Sequence, residues 1–170
     1  MSLLSRLFGT ERDPREDIRP LWHALVAQAR NKHWYAACGV ADTLEGRFDM
    51  ITAVVALAIV RMEQDEALSR DTAYLTELFV EDMDSQLRES GVGDPTVGKY
   101  VGKLVSAMGG RIGAFRNAVS GERAMEDVVE KNMTLNDGAD GTKLAAGLSD
   151  LAARFAGISD DEFRAGNIAA

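Results

Sequence analysis

The segment GDPTVGKY, residues 93–100, has the glycines and the lysine of a loop that could hold the phosphates of a nucleotide. It fits the pattern G-x-x-x-x-G-K-[ST] until Tyr100, which stands where a hydroxyl must coordinate Mg²⁺. Such a loop must also follow a buried strand, because its backbone N–H groups wrap the phosphates at the strand's end. The preceding residues, 75–87, instead repeat apolar side chains at helical spacing. We therefore predict a junction between two helices here, not a nucleotide site. In this junction Asp94 is expected to cap the second helix and Pro95 to occupy its first turn.

Other residues that could do chemistry also lack the partners they would need. The segment NDGADG begins like a calcium loop, but Gly138 replaces a ligand and Gly147 stands at the twelfth position, where glutamate is required. His23 and His33 lie ten residues apart, and Cys38 is the single cysteine, so neither a metal cluster nor a catalytic triad is indicated. We expect no catalytic residue, no metal and no cofactor, and therefore no enzyme.

The composition narrows the class of protein further. The chain has 170 residues and a formal net charge of −8, which argues against direct binding to nucleic acid. Its longest apolar run, Met50–Val60, is far shorter than the roughly 20 residues of a membrane span. We expect a cytoplasmic protein. Residues 1–12 are predicted to be disordered, and the alternative is weak contact of their LLSRLF segment with a membrane surface, so that the protein would be peripheral at the inner membrane.

The elements that must position any site are helices. Apolar residues recur at helical spacing throughout, and we predict an all-α fold: one compact domain of six to eight helices over residues 13–170. Asp13 and Pro14 open the first helix, in which Pro20 marks either a kink or the true start. Asp42 and Glu45 resemble a capping box that begins a helix at about 43–66. This helix is apolar all round from residue 50 to 60, so we expect it to be central and buried.

The helix over residues 75–88 has two polar side chains in an unusual position. Asp82 and Gln86 fall in the middle of its apolar side, one turn apart. A buried carboxylate is costly unless it is paired and hydrogen-bonded. One interpretation is an ion pair in the core or a contact with a helix end. The other is that this face is partly open and binds another protein.

The next helix carries a stripe of small residues along one edge, namely Gly98, Gly102, Gly109 and Gly113. Each glycine inside a helix costs up to about 1 kcal/mol relative to alanine, so several along one edge need a compensating gain. Close approach of a second helix supplies such a gain, as in G-x-x-x-G pairs. That second helix belongs either to this domain or to a partner protein that docks in a glycine-edged groove.

Two stretches of the sequence carry a family resemblance. HWYAACGVADTLEGRFDMI, residues 33–51, and LTELFVEDMDSQLRESGVGDPTVGKYV, residues 75–101, resemble the signature blocks of the ubiquinol–cytochrome c chaperone family, closest to its bacterial members. Ala41 stands where the family pattern has proline, and the last fifty residues match less clearly. The matching positions are Tyr35, Gly39, Asp42, Thr43, Gly46, Arg47, Phe48, Asp49, Phe79, Asp82, Met83, Asp84, Leu87, Arg88, Gly91, Gly93, Asp94, Gly98 and Lys99.

The resemblance implies a non-enzymatic, all-helical assembly factor for the cytochrome bc1 complex. Its implied partners are newly made cytochrome b or another bc1 assembly component, together with a small partner subunit and the ribosome. The alternative is a helical adaptor that recruits some other protein. From the motif and the two unusual helix faces, the predicted partner-binding residues are Tyr35, Asp42, Arg47, Phe48, Phe79, Asp82, Gln86, Arg88, Gly98, Gly102, Gly109 and Gly113.

Overall fold

The computed structural model describes residues 13–89, 91 and 93–169, so the prediction for residues 1–12 lies outside the described part. Helices follow one another along this part, and its only β-type pairing is a single bridge between Val40 and Leu135. After a 3-10 turn at Pro14–Asp17, the helices are α1 (Arg19–Ala29), α2 (Lys32–Ala36), α3 (Leu44–Met62), α4 (Glu66–Ser69), α5 (Thr72–Glu89), α6 (Asp94–Val119), α7 (Met125–Asn132), α8 (Thr142–Ala156) and α9 (Asp160–Arg164). The predicted all-α fold is confirmed.

The first helix shows how local chemistry sets a boundary. The Asp13 carboxylate accepts a hydrogen bond from the backbone N–H of Arg15 at 2.9 Å, and Pro14 occupies the first turn that follows. This turn is a short 3-10 helix, and α1 begins separately with Pro20 in its own first turn. Pro20 therefore marks the true start of α1, because proline lacks an N–H and a helix start needs none.

Asp13 leads to a prediction for acid unfolding. Hydrogen bonds from the Arg15 side chain and backbone lower the pKa of Asp13 from 3.8 to about 2. Since the folded pKa is the lower one, this carboxylate stabilises the fold above pH 3.8, and its contribution disappears as the pH falls through about 2. We expect the difference in urea midpoint between the protein and Asp13→Asn to shrink from pH 5 to pH 2. Asp137→Asn should show no such trend, because it removes the same charge at an exposed position.

The central helix α3 begins one residue later than predicted. Thr43, not Asp42, is the N-cap, and its hydroxyl accepts a hydrogen bond from the Gly46 N–H at 3.1 Å. The predicted capping box is therefore wrong. The helix also ends at Met62, because Asp65 caps the separate short helix α4. Every residue from 50 to 60 is buried, which confirms the prediction of a buried central helix.

Helix α3 lies among α1, α6 and α8, and α5 packs against α1 and α6. The loop before α3 lies close against its first turn at Gly46. A Cβ added at Gly46 would lie 2.0 Å from the carbonyl oxygen of Ala41, which is backbone and cannot move aside cheaply. None of the described helices is long and apolar enough to cross a membrane.

The close approach of the Ala41 carbonyl to Gly46 predicts that Gly46→Ala destabilises the protein, although alanine favours helices. We expect a loss of about 1–3 kcal/mol in the free energy of unfolding, the usual cost of overpacking. Thermal or urea unfolding measures it. The matched control is Gly102→Ala in α6, where an added Cβ meets nothing within 4 Å and helix propensity should raise stability instead. Equal effects at the two positions would contradict the prediction.

The GDPTVGKY segment is a helix junction, as predicted. It follows α5; Gly91 has a positive φ of 84°, and Pro95 lies in the first turn of α6. The N-cap is Gly93, not Asp94, so the predicted cap was wrong by one residue. Lys99 is exposed, whereas Tyr100 is half-buried and packs against the core.

Candidate partner-binding site

Two of the predicted partner-binding residues lie in the core. Phe48 is 4% exposed and Phe79 is fully buried, with its ring 6.4 Å from that of Trp22 in an edge-to-face contact. Neither ring can reach a partner in this arrangement, so we remove both from the candidate site. Their place in the sequence pattern is explained by core packing, since both side chains are buried.

Asp82 and Gln86 are half-buried on α5. The Gln86 amide donates a hydrogen bond to the Asp82 carboxylate at 2.5 Å, and within the described residues no ion pair of Asp82 is seen. The core ion pair that the first interpretation included is thus not found there. Arg88 is exposed and binds Asp84, one turn away, at 2.6 Å. This side of α5 is partly open, because Gln86 also lines a cavity.

The cavity, called here the Tyr35 pocket, has a volume of about 580 Å³ and brings together four predicted residues: Tyr35, Asp42, Arg47 and Gln86. They come from α2, the loop before α3, α3 itself and α5. The sequence did not indicate the remaining lining residues, because the pattern of one helix does not predict which of its residues will face a pocket between several elements. These are Ala29, Arg30, Lys32, Ala36 and Ile51.

The charges of the Tyr35 pocket are mostly positive. Arg47 binds Asp42 at 2.7 Å at the rim, and hydrogen bonding to this guanidinium lowers the pKa of the Asp42 carboxyl. Arg30 and Lys32 have no carboxylate partner among the described residues. The Tyr35 hydroxyl donates to the Ala29 carbonyl at 3.0 Å, and burial raises its pKa. The pocket therefore presents unpaired cations around a fixed aromatic wall.

The four predicted glycines of α6 form an exposed face. Gly98, Gly102 and Gly109 are exposed, Gly113 is half-buried, and a Cβ added at any of them meets nothing within 4 Å. Packing against another helix of this domain, one of the two interpretations, is therefore not seen in the described part of the chain. Val105 lies between them at helical spacing and is 39% exposed. We call these five residues the glycine face.

Cys38 and His33 also lie close together, but they do not form a reactive or metal-binding site. Cys38 is buried, with its Sγ atom 3.3 Å from His33 Nε2, and burial raises the pKa of the thiol. Among the described residues, no three histidine, cysteine or acidic side chains are grouped so as to hold a metal ion. The described part of the chain is thus an all-helical protein with two candidate binding surfaces, the exposed glycine face and the cationic Tyr35 pocket.

Comparison with known proteins identifies the family. The family model described as ubiquinol-cytochrome C chaperone matches residues 36–170, and the chain belongs to this family. A solved structure, described as the crystal structure of the Cbp3 homolog from Brucella abortus, is similar with a TM-score of 0.78 and 29% sequence identity. The similarity covers 98% of this chain and 96% of that one. The comparison with curated proteins gave no match.

Proposed function

We propose that the protein is a cytoplasmic assembly chaperone of the cytochrome bc1 complex that binds newly made cytochrome b, or another bc1 assembly component, through the glycine face. The observation that carries the proposal is an exposed, uncompensated row of glycines in a member of a chaperone family. The B. abortus Cbp3 homolog, similar over nearly the whole chain, supports the same role.

The glycine face suits an apolar client helix for a geometric reason. Without Cβ atoms, the backbone of α6 can lie close to a second helix, as in G-x-x-x-G contacts between membrane helices. Val105 adds an exposed apolar side chain in the middle, and the half-buried Val101 and Ile112 flank the face. Such a contact would cover a client helix before it is enclosed by its final neighbours.

The energetic argument points the same way. Each of the four glycines costs up to about 1 kcal/mol relative to alanine, and no contact within the described part of the domain offsets that cost. Binding free energy gained when a partner helix packs on these glycines would offset that cost and explain why they are there. In this proposal the chaperone contacts the inner membrane only peripherally, through its client, and a small partner subunit and the ribosome act beside it.

The proposal is tested by deleting the gene and measuring assembled bc1 complex by native electrophoresis and haem spectra. We expect loss of the complex and rescue by the intact gene. Affinity capture of the tagged chaperone during synthesis should recover cytochrome b or another bc1 component. Normal bc1 levels in the deletion strain, or capture of proteins unrelated to this complex, would favour a general helical adaptor instead.

A further inference from the structure

The Tyr35 pocket is a second surface, separate from the glycine face, and its chemistry is different. Three cationic side chains and one carboxylate line it, whereas the whole chain has a formal net charge of −8. A positive pocket in an acidic protein concentrates attraction for an anion at one place. The pocket therefore selects for negative charge where the rest of the molecule repels it.

The lining separates an apolar floor from a charged rim. Ile51 is 5% exposed and lies beside Ala29, Ala36 and the ring of Tyr35, which its hydrogen bond to the Ala29 carbonyl holds in place. Arg30 and Lys32 are exposed at the end of α1 and the start of α2. A volume of about 580 Å³ admits one large apolar side chain together with its neighbours.

Arg47 is poised to change partners. It binds Asp42 in a pair whose side chains are 64% and 61% exposed. An exposed pair of this kind is weak, because water screens it. An incoming carboxylate can replace Asp42 on the guanidinium at little cost and can make two parallel hydrogen bonds to it.

We propose that the Tyr35 pocket binds an acidic segment of a partner protein. The segment inserts one apolar side chain over Ile51 and places flanking carboxylates against Arg30, Lys32 and Arg47. That the partner is a protein rests on the proposed chaperone function. An anionic bilayer fits less well, because a flat surface cannot reach the apolar floor of the pocket, where Ile51 is only 5% exposed. Nucleic acid needs a row of phosphate contacts that one pocket does not provide.

The test is cross-linking in living cells with the full chain, carrying benzoylphenylalanine in place of Ala36, an exposed residue of the pocket. We expect an adduct with a protein segment that has carboxylates on both sides of an apolar residue, mapped by mass spectrometry. The double change Arg30→Glu and Lys32→Glu should reduce the adduct at least about tenfold, because like charges would then face each other.

The control is Arg123→Glu with Lys131→Glu, which makes the same change in charge at exposed positions outside the pocket and should leave the adduct unchanged. The proposal is overturned by an adduct that survives charge reversal, by a cross-linked segment without acidic residues, or by the absence of a protein adduct. It is also overturned if anionic phospholipid vesicles bind the chaperone only while Arg30 and Lys32 are intact.

A parallel cross-linker at Val105 separates this proposal from the proposed function. An adduct with a bc1 component at Val105 and none at Ala36 would overturn the pocket proposal and leave the glycine face as the client site. The reverse result would support the pocket and contradict the role of the glycine face.

Discussion

Replacing Asp49 with alanine is expected to lower the free energy of unfolding by about 3–5 kcal/mol, the usual effect of breaking a buried ion pair from one side. Asp49 lies in α3, and its carboxylate binds Arg111 of α6 at 2.5 Å. Its second oxygen accepts hydrogen bonds from the Thr134 backbone N–H at 2.9 Å and hydroxyl at 2.6 Å. The two charged side chains are only 14% and 18% exposed, so the variant leaves Arg111 nearly buried and unpaired.

Urea unfolding measures this loss, and the chain offers a matched control. Asp42 forms a comparable pair with Arg47 at 2.7 Å, but both side chains are more than 60% exposed. Asp42→Ala should therefore change stability by no more than about 1 kcal/mol. Adding Arg111→Met to Asp49→Ala should recover part of the loss, because it removes the uncompensated charge. Equal effects of Asp49→Ala and Asp42→Ala on the free energy of unfolding would contradict the proposed stabilising role of the Asp49–Arg111 ion pair.

Replacing Gly102 with leucine is expected to reduce client capture strongly while the protein itself becomes no less stable. A Cβ added at Gly102 meets nothing within 4 Å, and leucine favours a helix over glycine by up to about 1 kcal/mol. On the glycine face, however, the leucine would hold a second helix away from the backbone. We expect at least about tenfold less cytochrome b captured and a matching loss of assembled bc1 complex, which corresponds to about 1.4 kcal/mol of binding free energy.

Lys103→Leu is the control for this variant. Lys103 is the next residue in the same helix and is exposed, but it points away from the glycine face at about 100° per residue. It should leave capture and assembly unchanged. If Gly102→Leu folds normally and assembly is intact, the glycine face is not the client site.

Sequence periodicity predicted the helices well and their ends less well. The buried helix α3 was predictable because ten of the eleven residues from 50 to 60 are apolar, with Thr52 the exception, and such a run leaves no polar side to face water. Its N-cap was not, because Asp42 and Thr43 both carry suitable oxygens and only the backbone conformation decides which of them caps the helix; here Thr43 accepts from the Gly46 N–H. At α6 the N-cap is Gly93, which has no side-chain oxygen to mark it, so the residue types favoured the neighbouring Asp94 instead.

The candidate site was predictable only in part. The sequence indicated Tyr35, Asp42, Arg47 and Gln86 through motif and pattern, but their common pocket exists only because α1, α2, α3 and α5 meet there. Arg30 and Lys32 carried no signal, since exposed cations are ordinary on a helix surface. Phe48 and Phe79 lie in the core and not at the pocket, because a motif position does not distinguish a residue that binds a partner from one that packs the core.

The glycines of α6 show most clearly what the sequence determined and what the tertiary structure determined. The sequence by itself determined the all-helical fold, the helix junction at GDPTVGKY and the row of glycines along one edge, because these follow from local backbone preference and helical periodicity. Only the tertiary structure decided which way that edge points. The neighbours of a helix face come from distant parts of the chain, and here they leave the glycines facing open space rather than the core.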